Sequence, residues 1–177
     1  DWFDYDNDGW LDLFIANGAV NIIEAQRGEK FPFRMKNQLF RNTGAGRFEE
    51  TSKAGEPAFD RAEIGRGAAF GDIDNDGDVD VLATNNNGPV RLFLNQGRTK
   101  NHWLQLRLQQ AQGNRLGFGA WIGVERQGQP TIWRRVRTDG SYLSASDSRI
   151  HIGLGSSTQV TGVTVQWPDG ARERWTT

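Results

Sequence analysis

Asp72-Ile73-Asp74-Asn75-Asp76-Gly77-Asp78-Val79-Asp80 sets five aspartates within nine residues, between two apolar runs. Carboxylates crowded to that degree repel one another unless a cation sits among them. The spacing D-x-D-x-D-G-x-x-D puts alternate side chains on one side of a tight loop, and Gly77 permits the sharp backbone turn. Hard oxygen ligands in that number suit Ca²⁺, which takes about 6–8 oxygens in a flexible shell, over Mg²⁺, which tends to keep its waters. The pattern recurs 68 positions earlier, as Asp4-Tyr5-Asp6-Asn7-Asp8-Gly9-Trp10-Leu11-Asp12. Two copies with identical spacing make a repeat.

The residues after each loop decide the kind of repeat. Leu11-Asp12-Leu13-Phe14-Ile15-Ala16 and Val79-Asp80-Val81-Leu82-Ala83-Thr84 are short apolar runs ending in turn residues, the pattern of strands buried on both faces. An EF-hand needs a bidentate Glu at loop position 12 and then a helix. Here that position is Ile15 or Ala83, and a strand comes next, so the EF-hand is excluded. The ninth-position Asp12 and Asp80 have to reach back from the strand to close the site.

The repeat continues beyond the loops. Gln38–Gly44 corresponds to Val90–Gly97, each a short strand running into Asn and a glycine turn, and Gly46–Thr51 returns as a further strand. Units of this length built from short strands are propeller blades. Gly65–Gly71, rich in small residues, is expected as the innermost strand of the second blade. Its counterpart in the first blade is reduced to Trp2 and Phe3, with a polar insertion near residues 19–37. The chain therefore reads as a fragment of a longer protein that exposes strand edges, cut at the N-terminus and, after the last strand, at the C-terminus.

From Asn101 the texture changes. Leu104, Leu106 and Leu108 alternate to one side, as do Phe118, Ala120, Ile122 and Val124. Thr131–Arg137, Arg149–Gly153 and Val163–Trp167 come next as strands, and Pro168-Asp169-Gly170 is a strong turn. One-sided alternation predicts an antiparallel sheet with one wet face, most simply a small β-sandwich. The expected architecture is all-β: about two blades of a partial β-propeller over 1–99, then a sandwich domain over 100–177.

Charge supports this division. Residues 1–99 hold 17 acids and 11 bases, and residues 100–177 hold 5 acids and 10 bases. Nine of the N-terminal acids lie in the two Asp loops, so the acidity is local to the proposed cation sites. The scattered arginines of the basic half read as solvated strand faces rather than a nucleic-acid surface. No apolar run approaches the length of a membrane span. With no cysteine, disulfides and thiolate metal sites are excluded.

The two D-x-D-N-D-G-x-x-D loops with their strands resemble FG-GAP/VCBS repeats, the calcium-binding blades of integrin-type propellers. Asn101–Leu104, Asn114–Ala120, Gly140–Ser144, Ile150–Gly155 and Val165–Gly170 resemble the ASPIC/UnbV domain. The resemblance implies Ca²⁺ held by Asp4, Asp6, Asp8 and Asp12, and by Asp72, Asp74, Asp76 and Asp80. The carbonyls of Trp10 and Asp78 would complete the two shells. It also implies a secreted, cell-surface or periplasmic binding and adhesion scaffold, whose partner is an extracellular protein or glycan. It offers no catalytic activity.

The alternative is an extracellular, carbohydrate-active enzyme whose site lies mostly elsewhere. Its supports are thin. Glu49 and Glu50 are adjacent on a strand and face opposite ways. Ser144, Ser146, Asp147 and His151 lack a nucleophile elbow and crowd one turn. Gly153-Leu154-Gly155 lacks the third glycine of a dinucleotide fingerprint. His102 and His151 are too few for a His-based zinc site, and the seven tryptophans spread over both halves as packing residues.

Overall fold

Strands β1 (Trp2–Phe3), β2 (Asp12–Ile15), β4 (Gln38–Gly44) and β5 (Arg47–Glu50) form one four-stranded sheet in the order β1-β2-β4-β5. Strands β7 (Gly65–Gly71), β8 (Asp80–Asn85) and β9 (Arg91–Phe93) form a second sheet in chain order. Short strands β3 (Met35–Lys36) and β6 (Ala62–Glu63) pair as a two-stranded sheet of their own. Every pairing is antiparallel, and the two sheets keep one register: Leu13 faces Phe40 as Val81 faces Phe93. This computed structural model describes residues 1–21, 26, 28, 33–52, 57–97 and 99–176. Most of the insertion expected at 19–37 lies outside the described residues. Among them the two blade-like sheets do not close into a ring, and no helix is long and apolar enough to cross a membrane.

Between the sheets Phe3, Phe14, Ala68, Phe70, Val79, Val81 and Ala83 are buried together, with Tyr5, Leu39, Phe59 and Phe93 against them. The sequence predicts burial of β2 and β8 on both faces, and the structure corrects this. In β2, Asp12 and Phe14 are buried while Leu13 and Ile15 are half-buried, and in β8 Leu82 is 38% exposed. Only the face turned to the neighbouring sheet is covered, so these strands alternate as antiparallel strands do.

The C-terminal strands build a sandwich. Strands β10 (His102–Leu106) and β13 (Ile150–Gly155) pair as one layer. Strands β11 (Trp121–Arg126), β12 (Gln129–Arg135), β14 (Val160–Gln166) and β15 (Arg172–Thr176) form the other, in the order β12-β11-β14-β15. Ala120, Ile122, Val124, Ile132, Val136, Ile150, Ile152, Leu154, Val165 and Trp167 make its core, with Leu104, Leu106 and Leu108 packed on it. Phe118 departs from the alternation expected of it and is 39% exposed, because it precedes β11 in a turn where Asn114 bonds its backbone at both N–H and C=O.

The edge of β7 is covered from the C-terminal half. The hydroxyls of Ser141 and Ser146 accept from the Ala68 and Phe70 N–H groups at 3.0 and 3.1 Å, and the Asp147 N–H donates to the Phe70 carbonyl at 2.8 Å. Gly67 permits this approach, since a Cβ there would meet Ser144 Oγ and the Tyr142 carbonyl. Serines and an amide thus terminate an edge that would otherwise offer unpaired groups to another chain.

Candidate metal centre

Residues 4–12 join β1 to β2, and residues 72–80 join β7 to β8. The loops are copies at the level of single bonds. Asn7 and Asn75 sit in the left-handed region at φ 59° and 60°, and Gly9 and Gly77 both at φ 94°. Asn tolerates such a φ better than most residues, and Gly adopts it freely. In each loop the glycine N–H donates back to the first aspartate: Gly9 to Asp4 Oδ2 at 2.9 Å, Gly77 to Asp72 Oδ2 at 3.2 Å. The third and fifth positions form Asx turns, Asp6 with Asp8 N and Asp8 with Trp10 N, then Asp74 with Asp76 N and Asp76 with Asp78 N. The ninth-position aspartate accepts two backbone N–H groups, Asp12 from Tyr5 and Asn42 and Asp80 from Ile73 and Asn95.

These bonds turn the remaining carboxylate oxygens toward one another. Oxygens of Asp4, Asp6 and Asp8 lie within 4.8 Å of one another, as do those of Asp72, Asp74 and Asp80. Asp12 lies outside the first group, while its counterpart Asp80 belongs to the second. Asp76 and Asp78 are not in the second group; Asp78 Oδ1 instead accepts from Asn7 Nδ2 at 2.9 Å. Trp10 is 56% exposed at the loop tip. Asp4 and Asp72 are each 3% exposed, and each keeps a buried Oδ1 without a hydrogen-bond partner. A buried carboxylate oxygen without a donor is costly. Two of them at equivalent positions mark where a cation would stand.

Electrostatics agree with the geometry. Burial pushes the Asp4 carboxyl up to about 7, against the pull of Arg134, with Asp12 and Asp8 adding to the rise. Burial likewise pushes Asp12 up to about 7, opposed by its two backbone donors. Asp6 is raised by burial and then by Asp8. Burial drives His151 the other way, down to about 4.

Without a cation, Asp4 and Asp12 favour the fold below the unfolded carboxyl value, and that contribution is lost as pH rises through about 7. The His151 contribution is present above its unfolded value and is lost as pH falls toward about 4. Two carboxyls outweigh one imidazole, so cation-free stability should fall from roughly pH 5 to roughly pH 7. A cation held by the ionised carboxylates would flatten or reverse that slope, which Ca²⁺ tests. Urea unfolding at both pH values, with chelator or with Ca²⁺, checks this; identical slopes in the two series would contradict it.

The loops are also where the two halves meet. Asn7, buried at 2% exposure, donates from Nδ2 to the Gly77 carbonyl at 3.0 Å and shares its Oδ1 with His151 Nε2 at 2.6 Å. Asn75 Oδ1 accepts from Arg149 Nη1 at 2.9 Å, and Arg149 Nη2 donates to the Asp72 carbonyl at 2.9 Å. Arg134 Nη2 donates to the Gly9 carbonyl at 2.8 Å, and Gly155 N–H to the Asn7 carbonyl at 2.9 Å. Trp103 stacks on His151 and covers Gly77, where a Cβ would run into its ring. None of Asn7, Arg134, Arg149 or His151 stands out as a metal-site residue in the sequence. Asn at the fourth position of both loops is the one available signal.

Comparison with known proteins matches this order. Residues 4–83 match the family model of the FG-GAP-like repeat, and residues 110–177 match that of ASPIC and UnbV. Cartilage acidic protein 1 of Xenopus tropicalis is 27% identical over 170 residues, covering 94% of this chain and 25% of that protein. Cartilage acidic protein 1 of Homo sapiens is 26% identical over 170 residues, covering 94% of this chain and 24% of that protein. The chain spans about a quarter of the length of these curated relatives. The chain is thus similar to an FG-GAP-like repeat over its first part and to ASPIC and UnbV over its last.

Proposed function

We propose that residues 1–99 are calcium-stabilised propeller blades and residues 100–177 an ASPIC/UnbV sandwich, together a binding and adhesion scaffold outside the cytoplasm. In this reading Asp4, Asp6, Asp8, Asp12 and the Trp10 carbonyl hold one Ca²⁺. Asp72, Asp74, Asp76, Asp80 and the Asp78 carbonyl hold the other. Asp12 and Asp80 keep free lone pairs on oxygens that already accept one N–H each. The observation that carries the reading is the pair of buried, partnerless Oδ1 atoms on Asp4 and Asp72. Similarity to a protein named for cartilage, an extracellular matrix, supports the location.

The role of Ca²⁺ is structural. A cation that binds only the native state stabilises it by about 2.7 kcal/mol at 100 times Kd. For a chain of this size that is a rise in Tm on the order of 5–10 °C. Thermal unfolding in chelator and in Ca²⁺ measures it. An unchanged Tm at millimolar Ca²⁺ would refute the metal reading.

One observation favours a second reading. A cavity of about 420 Å³ at the junction of the halves is lined by Trp2, Trp121, Trp133, Asp1, Asp139, Asp147, Arg135 and Arg137 among others. A pair of carboxyls flanking the bond is what a glycoside hydrolase uses. Asp1 and Asp147, however, are paired with Arg137 at 3.1 Å and Arg149 at 2.6 Å. Asp4 and Asp72 also line it but are taken up by the two cation loops, so the cavity suits recognition of a glycan better than acid–base chemistry. Glycan-array binding without turnover supports the scaffold; hydrolysis of a bound glycan would establish the enzyme.

A further inference from the structure

The two Asp loops share a backbone but not an electrostatic environment. In the first, the Arg41 guanidinium lies across the cluster, with Nε 2.8 Å from Asp6 Oδ2 and Nη2 3.5 Å from Asp8 Oδ2. Arg134 stands behind the same cluster, Nη2 3.9 Å from Asp4 Oδ2. Asp4, Asp6, Asp8 and Asp12 thus place four carboxyls beside two fixed positive charges.

The second loop has no such counter-ions. Register fixes the equivalence: Phe40 pairs with Leu13 as Phe93 pairs with Val81, so Arg41 corresponds to Leu94. Leu94 is 51% exposed. Among the described residues no Lys or Arg forms an ion pair with Asp72, Asp74, Asp76, Asp78 or Asp80. Arg149 touches this loop at the Asp72 carbonyl and the Asn75 amide, and its own ion pair is with Asp147. Asp72, Asp74 and Asp80 therefore converge there without an ion pair among the described residues, around the partnerless, buried Asp72 Oδ1.

We infer that the two cation sites are unequal: the 72–80 loop is the tight divalent-cation site, and Arg41 makes the 4–12 loop a weak one by supplying part of the cation's charge. This rests on the metal reading above and refines it. Arg41 occupies Asp6 and Asp8 oxygens that a cation would use, so an incoming ion must displace or share the guanidinium. It also repels the ion at short range, where screening by salt is incomplete. In the second loop no guanidinium is ion-paired with the carboxylates, and the nearest, Arg149, is already paired with Asp147. The first loop is then held partly by protein alone, whereas the second depends on the free cation concentration.

Calorimetric titration of the whole chain with Ca²⁺ tests this. The expected result is two phases, the weaker at least about tenfold above the tighter in Kd. Arg41→Leu, which copies the second loop, should tighten the weak phase about tenfold and leave the other unchanged. Leu94→Arg, at an exposed position, should weaken the tight phase by a similar factor, and it serves if Arg41→Leu fails to fold by circular dichroism. Two phases of equal affinity in the unmodified chain would overturn the inference while leaving the metal reading intact. So would Arg41→Leu or Leu94→Arg variants that fold yet titrate unchanged. Absence of Ca²⁺ binding at either loop would overturn both.

Discussion

Asp80→Ala should destabilise the fold by roughly 2–6 kcal/mol even in chelator, and abolish binding at the second loop. Asp80 is fully buried and accepts from Ile73 N–H at 2.9 Å and Asn95 N–H at 2.8 Å. It therefore ties the start of its own loop to the segment after β9. Alanine leaves two backbone donors without a partner, at about 1–3 kcal/mol each. Asp80→Asn keeps one carbonyl oxygen, so its loss in chelator should be smaller while cation binding is still lost. Urea denaturation of both variants, with and without Ca²⁺, separates the two contributions. If Asp80→Ala costs less than about 1 kcal/mol in chelator, the carboxylate is not the strut described.

Phe14→Ala should cost about 3–5 kcal/mol, enough to unfold the blade pair or leave it marginal. Phe14 is 1% exposed and packs on Phe70, Phe59 and Phe93, with ring centroids 6.1, 6.4 and 5.7 Å away. Phe14 comes from the first sheet, and Phe70 and Phe93 from β7 and β9 of the second, so with Phe3 its ring joins the apolar faces that the two blades bury against each other. Phe14→Leu, which keeps most of the volume, should recover much of the loss. Equal destabilisation by Leu and Ala would mean that the volume of the ring is not what matters.

Much of this was legible in the chain itself. The spacing of Asp4–Asp12 and Asp72–Asp80 specified two equivalent loops, because side-chain Asx turns and glycine φ values are local properties of a few consecutive residues. Alternation at Leu104, Leu106, Ile122 and Val124 specified the sandwich faces for the same reason. The contacts that join the halves were not legible. Asn7 meets His151 across 144 positions, and Arg149 meets Asn75 across 74. Such pairs depend on how finished sheets dock, and no periodicity encodes that. The serines around Tyr142 illustrate the point. Close in sequence to Asp147 and His151 they raise the question of a nucleophile, yet two of them cap the edge of β7. Arg41 was invisible as a site residue because its strand position is unremarkable until register sets it over Asp6 and Asp8.

The two Asp loops emerge as the joint of the molecule. His151, Arg134 and the Gly155 amide grip the first, and Arg149 and Trp103 the second. A loop whose carboxylates repel one another is a poor surface for docking, and a cation that fixes those carboxylates also fixes Asn7 and Asn75 beside them. A bound metal would thereby connect blade stability to the placement of the C-terminal sheets. The most direct test is a crystal structure with Ca²⁺ present, inspected for anomalous scattering at the second loop. A peak about 2.3–2.6 Å from Asp72 Oδ1 and from an Asp74 oxygen is the predicted result. Ordered Asp72 and Asp74 with no peak between them at millimolar Ca²⁺ would contradict a metal at this joint.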